Sequence, residues 1–281
     1  MEINDFRIIG SLSERYLIEP LGDIHLGAVN CDKDKLQARI NRIKNTPNCY
    51  TIIMGDIADA ITLHDKRFDG NTVDPELKEP ERQYEYAEEV LRPIKDKIIG
   101  IHTGNHDSFL RKETARMLRN SGIYGEDKIL QESDWVKKLC KNLGVPHLSF
   151  SAFTRLTFQN PKKELDVSQF KIFSTHGRYG GERVGGNVNK VEDYASFFEA
   201  DIYLSAHTHQ IVSSKRVILT VSQRSRDIIE RIQVFAVTGS FLRGYAVGNT
   251  SYVEESVKRP TRIGTITVDI QPNRRDIDVH E

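Results

Sequence analysis

The chain has 281 residues, which at about 150 residues per domain allows one large domain or two small ones. Its content of 38% apolar and 28% charged residues is that of a globular protein and excludes disordered, collagenous and membrane-embedded classes. Basic and acidic residues both number 40, so the net charge is zero. This balance excludes a globally basic nucleic-acid coat but not a local basic face.

The cysteines and the apolar runs indicate the compartment. Cys31, Cys49 and Cys140 lie far apart and form no CxxC pair, so neither a disulfide framework nor a zinc ribbon is expected. The N-terminal segment lacks the basic and apolar regions of a signal peptide, and no apolar run approaches the ~20 residues that cross a bilayer. We therefore expect a cytoplasmic protein with reduced thiols and no membrane partner.

Short apolar runs alternate with helical patterns up to His209. The strand-like runs end in polar clusters and cover residues 16–23, 50–56, 97–107, 170–177 and 201–209. Helical spacing covers 34–45, 75–94, about 108–143 and 189–200, and in the last stretch one face holds Val191, Tyr194, Ala195 and Phe198. This alternation predicts an α/β fold with buried strands.

The chain changes character after His209. Strand-like runs follow one another without a clear helix between them: RVILTVSQ, RIQVFAVTGS, RIGTITVDI and RDIDVH. They predict a second sheet or an extension of the first. The sequence has no internal repeat or Gly/Ser/Pro-rich linker, so we expect a single domain over 1–281, with a helical insertion at about 108–158.

Polar residues cluster at the carboxyl ends of the predicted strands. In open α/β sheets these strand ends form the crevice in which ligands bind, so we expect the clusters to converge on one pocket. Asp107 is expected to have a structural role in its loop. The clustered residues are Asp23 and His25; Asp56 and Asp59; Asn105, His106 and Asp107; His176; and His207 and His209.

These residue types are those of a divalent-metal site, because neutral imidazole, carboxylate and amide oxygen bind borderline to hard cations. In D-x-H and H-x-H on an extended segment, both side chains point to the same face. Two carboxylates, one asparagine and four histidines are too many donors for one four-coordinate ion but suit two ions that share a carboxylate. Two ions ~4 Å apart suit in-line displacement at phosphorus.

The ordered set D-x-H, GD-x-x-D, GNHD, H-G and H-x-H, between residues 21 and 209, resembles the calcineurin-like metallophosphoesterase family. The opening GDIHLG and the Gly-rich loop after His176 are similar to prokaryotic and bacteriophage members. The resemblance implies an α/β fold in which two mixed β-sheets pack as a sandwich flanked by helices. It also implies a dinuclear-metal-dependent phosphoesterase that hydrolyses phosphate esters by attack of a metal-bound hydroxide.

The resemblance assigns a role to each clustered residue. His106, inside GNHD, matches the family histidine that binds no metal, contacts the phosphate and protonates the leaving oxygen. Asp59 matches the acid that hydrogen-bonds this histidine and keeps it charged. The implied ligands are Asp23, His25 and His209 for the first metal, Asn105, His176 and His207 for the second, and Asp56 as the bridge between them.

The expected substrate is a nucleic-acid phosphodiester, in DNA or RNA. Arg178 and Arg183 lie in the Gly-rich loop 178–190 and could donate to a phosphate, although a surface loop leading into the next helix is the alternative. Arg243 is a further candidate at the pocket rim. Basic residues also cluster at 109–120, directly after GNHD.

Other functions stay open at this stage. A phosphomonoesterase or a protein phosphatase would use the same chemistry, and a scaffold that keeps the fold without catalysis belongs to another class. The complete set of ligand positions argues against the scaffold. The mixed oxygen and nitrogen donors suit Mn²⁺, Fe or Zn²⁺, of which we favour Mn²⁺.

Overall fold

Two mixed β-sheets face each other in the computed structural model, which describes residues 1–62, 65, 68–163, 165–178, 181, 183–222, 225–249 and 251–281. The strands are β1 (Glu2–Ile9), β2 (Tyr16–Ile18), β3 (Cys49–Ile53), β4 (Ile98–Ile101), β5 (Ser151–Gln159), β6 (Val167–Thr175), β7 (Ile202–Ser205), β8 (Ile211–Val221), β9 (Ile228–Thr238), β10 (Thr267–Gln271) and β11 (Asp276–His280). The helices are α1 (Lys33–Asn45), α2 (Pro80–Leu91), α3 (Asn105–Ser121), α4 (Glu126–Ser133), α5 (Trp135–Leu143), α6 (Val184–Asp193) and α7 (Tyr252–Glu255).

Each sheet contains a parallel group of strands. The six-stranded sheet has the order β1-β5-β6-β7-β9-β8, and β6, β7 and β9 run parallel in it. The five-stranded sheet has the order β11-β10-β2-β3-β4, and β2, β3 and β4 run parallel. Parallel neighbours carry their carboxyl ends at the same edge, so within each sheet the loops after these strands lie side by side.

A buried apolar layer joins the two sheets. Ile18 and Ile52 of the five-stranded sheet belong to one core cluster with Phe158, Ile172 and Leu204 of the six-stranded sheet. Strands β4 and β7 are buried at every residue, as expected of strands that are covered on both faces. The predicted fold class is confirmed: a sandwich of two mixed sheets flanked by helices.

Helices cover the outer faces of both sheets. Leu36 of α1, Tyr84 of α2 and Leu139 of α5 pack in one core cluster with the five-stranded sheet, and Val191 of α6 packs on the six-stranded sheet. Among the helices that the structure describes, none has the length and apolar character that a bilayer span requires.

Two helices differ in extent from the predicted ones. Helix α2 begins at Pro80, a residue suited to a first turn because it lacks an N–H, and ends before Pro93, where a 3₁₀ helix (Arg92–Lys97) follows. Helix α6 begins at Val184 and ends at Asp193, earlier than the predicted 189–200. The predicted apolar face is nevertheless the one that packs on the six-stranded sheet: Val191, Tyr194, Ala195 and Phe198.

The C-terminal runs extend both sheets. The hairpin of β8 and β9 completes one edge of the six-stranded sheet, and β10 pairs antiparallel with β2 in the other sheet. The N-terminal strand β1 is an addition to the predicted elements and pairs with β5. Of the segment 108–158, residues up to Leu143 lie mainly in α3, α4 and α5, whereas β5 lies within the six-stranded sheet.

Candidate metal centre

The predicted ligands follow strand ends of both sheets. Asp23 and His25 follow β2, Asp56 follows β3, and Asn105 is the first residue of α3 after β4. In the other sheet, His176 follows β6, and His207 and His209 follow β7. Among the described residues, the structure forms three groups of possible metal-binding atoms, and the predicted ligands make up two of them: Asp23, His25 and His209; and Asp56, His176 and His207. The third group, His25, Asp59 and His106, shares His25 with the first.

The first group is buried. Asp23 and His25 are 0% and 1% exposed and His209 is 9% exposed. His25 Nε2 lies 3.3 Å from His209 Nε2, and His209 Nε2 lies 3.5 Å from Asp23 Oδ1. On its other side, His25 Nδ1 lies 3.1 Å from Asp59 Oδ1. A carboxylate that accepts from Nδ1–H leaves Nε2 as the lone-pair donor, which is the usual arrangement of a metal-binding histidine.

The second group includes the asparagine. His176 Nε2 lies 3.4 Å from Asp56 Oδ2, and His176 Nδ1 donates to the main-chain oxygen of Met54 at 2.9 Å. Asn105 Oδ1 lies 2.9 Å from His176 Nε2. The same oxygen position is 2.7 Å from His207 Nδ1 and 3.2 Å from Asp56 Oδ2.

These donor sets fit divalent cations on two observations. One amide position of Asn105 lies within 3.2 Å of Asp56, His176 and His207, where an oxygen would share a cation with them and a nitrogen would donate hydrogen bonds to them. Asp23 Oδ1 is buried and accepts no hydrogen bond from the residues described, although an ionised oxygen in such surroundings requires compensation. Both features are accounted for when each group holds a positive ion.

Both carboxyl groups are ionised in these surroundings. Burial by itself would raise the pKa of Asp56, but the charges of His176 and His106 outweigh it and hold that pKa well below the usual 3.8. Burial opposes ionisation of Asp23 as well, yet the neighbouring His209 outweighs it and lowers the pKa of this group. Ionised carboxylates are the form that binds cations.

Backbone strain is concentrated in the same loops. Of the nine described residues other than glycine that have positive φ angles, five are predicted ligands: Asp23 (47°), His25 (54°), Asp56 (48°), His207 (74°) and His209 (59°). Each costs about 1–2 kcal/mol relative to the right-handed region. Strain of this kind persists where the surrounding structure holds it and where a site requires it.

Two motif glycines allow the strand ends to approach closely. Gly55 has a φ of +91°, and a Cβ there would lie 2.6 Å from the main-chain nitrogen of Gly104. A Cβ on Gly104 would lie 2.0 Å from Asp56 Oδ1. Because the obstacles include backbone atoms, neither position accepts a side chain without moving a loop that carries a predicted ligand.

The first turn of α3 contacts Asp56 directly. The main-chain N–H of His106 donates to Asp56 Oδ1 at 2.9 Å. Asp107 accepts from the N–H groups of Gly104 (2.7 Å) and Asp56 (3.0 Å) and also from the Tyr84 hydroxyl. These hydrogen bonds agree with the expected structural role of Asp107. Tyr84 is a residue of this site that sequence reasoning missed, because a tyrosine on an apolar helix face is indistinguishable from a core residue.

The hydrogen bonding of His106 differs from the expectation. His106 Nδ1 lies 2.6 Å from the main-chain oxygen of Asp59 and 3.7 Å from its carboxylate Oδ1. The same carboxylate oxygen is closer to His25 Nδ1. The predicted contact between Asp59 and His106 is therefore made by the main chain, and the Asp59 carboxylate is oriented toward a predicted metal ligand.

A cavity of about 820 Å³ opens beside the two donor groups. Its wall includes His106, Asp59, His207 and His209, so the cavity reaches the donor atoms. The rest of the wall is formed by the segment after His25 and by residues of the C-terminal part, among them Leu242, Val253, Lys258 and Arg259. A volume of this size is typical of small-molecule sites, which span about 300–1,000 Å³.

The predicted substrate-binding arginines are not part of this wall. The guanidinium of Arg243 donates to Asp32 Oδ2 at 2.7 Å. Arg178 and Arg183 are exposed, and from their loop Gly181 lines the cavity. The other loop residues between the two arginines, 179, 180 and 182, lie outside the described residues. The roles suggested for these arginines stay predictions.

The fold and the donor groups define a metal-dependent phosphoesterase. The sequence profile of the calcineurin-like phosphoesterase family matches residues 21–211, more than half of the chain, and the chain belongs to this family. No curated protein matches the chain in sequence.

Proposed function

We propose that this protein is a phosphodiesterase that cleaves nucleic acid with two divalent metal ions, of which Mn²⁺ suits the mixed donors best. The observation that carries the proposal is the pair of adjacent donor groups, in each of which the ligand atoms lie within 4.8 Å of one another. The ligands would be those of the two groups together with Asn105, with Asp56 between the ions. The whole chain, 1–281, would act as one domain, since β1 and β11 both belong to the central sheets.

The bound ions would supply the positive charge that polarises the phosphoryl oxygens and activates water. The chain's own contribution is the orientation of the donors. Asp59 fixes the ring of His25 through Nδ1, and the Met54 carbonyl fixes the ring of His176 in the same way. Helix α3 begins against Asp56, so its N-terminal N–H groups stabilise this carboxylate.

We assign the role of general acid to His106. Its Nδ1–H is directed to the Asp59 carbonyl at 2.6 Å, which leaves Nε2 as the atom that exchanges a proton with the ester. The ring packs edge-on against His25, with 4.7 Å between centroids, and lines the cavity. A protonated His106 would therefore donate to the oxygen that leaves phosphorus.

The basic residues of α3 support a polymeric substrate. The helix begins at Asn105, and the positively charged side chains of Lys112 and Arg116 are exposed on it. At 1.5 Å per residue, Arg116 lies about 16 Å along the helix from Asn105. A polynucleotide that passes the metal centre could contact these cations with phosphates beyond the cleaved one.

The test uses apoprotein prepared by chelation and reconstituted separately with Mn²⁺, Fe²⁺ and Zn²⁺. The substrates are bis-p-nitrophenyl phosphate, p-nitrophenyl phosphate, and single- and double-stranded DNA and RNA oligonucleotides. We expect hydrolysis of the diester and cleavage of an oligonucleotide. Asp56→Asn, purified in parallel, controls for contaminating hydrolases. Efficient monoester hydrolysis without oligonucleotide cleavage would refute the nucleic-acid substrate, and no hydrolysis with any metal would refute the phosphodiesterase.

A further inference from the structure

A second opening in the molecule is a cleft of about 270 Å³ with a mainly polar wall, which shares no lining residue with the cavity beside the donor groups. Three arginines line this cleft: Arg39 and Arg42 of α1, and Arg262 of the loop before β10. Arg39 and Arg42 are three positions apart, so they lie on the same face of the helix. Arg262 joins them from a distant part of the chain.

A buried carboxylate orients two of the guanidinium groups. The side chain of Glu19 is 0% exposed, and it accepts from Arg39 Nη1 at 3.0 Å and from Arg42 Nε. The side chains of Arg39 and Arg42 are nevertheless 26% and 51% exposed. Because a guanidinium has five N–H groups, binding to Glu19 leaves donors on both arginines for a ligand in the cleft.

The cleft carries an excess of positive charge. Glu19 offsets one arginine, and Glu281 is the one carboxylate among the described lining residues. Glu281 accepts from the N–H and the hydroxyl of Ser213, both at 3.0 Å, so its carboxylate is directed to β8. Arg262 is exposed, and no ion pair joins it to a carboxylate in the described part of the chain. Three arginines therefore face two carboxylates.

The remaining polar groups of the wall are already hydrogen-bonded. The hydroxyl of Thr265 donates to the Pro20 carbonyl, and that of Thr267 donates to Glu19 at 3.4 Å. The arginines are thus the main donors that the cleft offers. A guanidinium binds two oxygens of a phosphate at once, and three of them suit a group with more oxygens than the two of a carboxylate.

The wall of the cleft is joined to the first donor group. Ile211 lines the cleft and comes two residues after His209, so their Cα atoms are at most about 7 Å apart. The N–H of Gly264, another lining residue, donates to the Ser240 carbonyl at 2.9 Å. The hydroxyl of Ser240 in turn donates to the Asp23 carbonyl at 2.9 Å. The cleft therefore lies near the metal centre without sharing its donor atoms.

We propose that this cleft is a second anion site, which binds a phosphate group through Arg39, Arg42 and Arg262. The group is either free phosphate or a backbone phosphate of a polynucleotide, since both present the same oxygens to the arginines. Occupation by a backbone phosphate rests on the proposed function, because the polynucleotide is the proposed substrate. Binding of a phosphate group as such does not rest on it.

The binding test is equilibrium dialysis of the metal-loaded protein against inorganic phosphate. The metal centre can also bind phosphate, so the comparison is between variants. We expect Arg262→Gln, which removes an exposed charge, to weaken one phosphate site by about 10-fold and to leave any other site unchanged. Superimposable binding curves would overturn the cleft as a phosphate site. A weakened site in a protein that hydrolyses no ester would support the cleft and refute only the proposed function.

Arg274→Gln is the matched control. Arg274 is exposed like Arg262, but it lies in the turn at the end of the β10–β11 hairpin where Gln271 pairs with Asp276, whereas the cleft is at the other end. The control removes the same charge and should leave the binding curve unchanged. Equal weakening in both variants would show that net charge controls phosphate binding, which would overturn the cleft.

Kinetics distinguish the two sources of the phosphate. If a backbone phosphate occupies the cleft, Arg262→Gln should raise KM for an oligonucleotide by about 10-fold and leave bis-p-nitrophenyl phosphate within about twofold, because this diester has a single phosphate. If free phosphate occupies it, KM stays unchanged for both substrates although phosphate binding is weakened. An equal rise in KM for both substrates would place Arg262 at the metal centre and overturn a separate site.

Discussion

The histidines in the two donor groups of the candidate metal centre are oriented in different ways. In the first group, the ring of His25 is oriented by a hydrogen bond to the side chain of Asp59, a residue outside the group. In the second group, the ring of His176 is oriented by a hydrogen bond to the main-chain carbonyl of Met54. A single substitution that spares every predicted ligand can therefore disturb the first group. In the second group, the hydrogen bond that orients His176 comes from a main-chain carbonyl, which no side-chain substitution removes.

The two histidines also differ in protonation when no metal is bound. Burial lowers the pKa of His25 by more than Asp59 raises it, so its ring is neutral and ready to bind. Burial acts in the same direction on His176, but Asp56 outweighs it and raises the pKa of His176 to about 10. His176 would therefore give up a proton on binding a metal, whereas His25 would not.

Asp56→Asn should produce the largest effect because Asp56 is assigned to both ions. We expect both metals to be lost on gel filtration and hydrolysis to fall below detection, since the carboxylate proposed to bridge the two ions loses its charge. Elemental analysis of the purified variant measures the metal content. Two tightly held ions in this variant would contradict the bridging position, and one would assign Asp56 to a single group.

His106→Ala should come next and should spare both donor groups. We expect two metals per chain and a loss of about 10²–10⁴-fold in kcat on an unactivated diester, because proton donation to the leaving oxygen is removed. With p-nitrophenolate as leaving group, the loss should shrink, since this group departs without a proton. Equal losses on both kinds of ester would contradict proton donation, and a missing metal would contradict the separation of His106 from the ligands.

Asp59→Ala distinguishes the two groups. Without its carboxylate, the ring of His25 loses its orientation, and we expect the affinity of one metal to fall by about 10–100-fold while the other is unchanged. Competition with a graded chelator measures the two affinities. If both metals stay bound and the loss in rate follows leaving-group basicity, as for His106→Ala, then Asp59 acts through His106, as its place in the motif implies.

The double variant Lys112→Glu, Arg116→Glu should have the smallest effect and lies outside both groups. Arg111 is left unchanged because it pairs with Asp134 at 3.4 Å. We expect KM for an oligonucleotide to rise by about 10-fold and its salt dependence to flatten, while hydrolysis of bis-p-nitrophenyl phosphate stays the same. Lys162→Glu, Lys163→Glu is the matched control, because this turn lies at the opposite end of β6 from His176. Equal effects of the two double variants would remove α3 from the substrate path.

The donor residues could be predicted from sequence for a physical reason. Each donor residue follows a short apolar run that forms a strand. Because the carboxyl ends of parallel strands lie at one edge of a sheet, the residues that follow such runs can be placed at that edge from sequence alone. Gly55 and Gly104 also indicate that the loops after β3 and β4 meet, since only glycine permits the close approach of these two loops.

No sequence pattern of this kind identifies the residues of the cavity wall. Asn30 precedes a helix in a stretch that reads as an ordinary turn, and Lys258 and Arg259 lie in a loop far along the chain. Their approach to the site depends on how the segment after β9 folds back, which no local pattern encodes. For the same reason, the sequence predicts Arg243 at the pocket rim but does not reveal its ion pair with Asp32, a partner 211 positions away.

Each donor group takes residues from both sheets, which connects metal binding to the stability of the whole molecule. Asp23 and His25 follow a strand of the five-stranded sheet and His209 follows one of the other sheet, and His25 and His209 are 184 positions apart. A metal ion held by such a group would connect the two sheets of the folded chain, and because it binds the assembled group and not the separated ligands, its binding free energy would add to the free energy of unfolding. Metal removal should therefore lower the thermal unfolding temperature of the entire chain rather than loosen the loops alone, and the two sheets should come apart together.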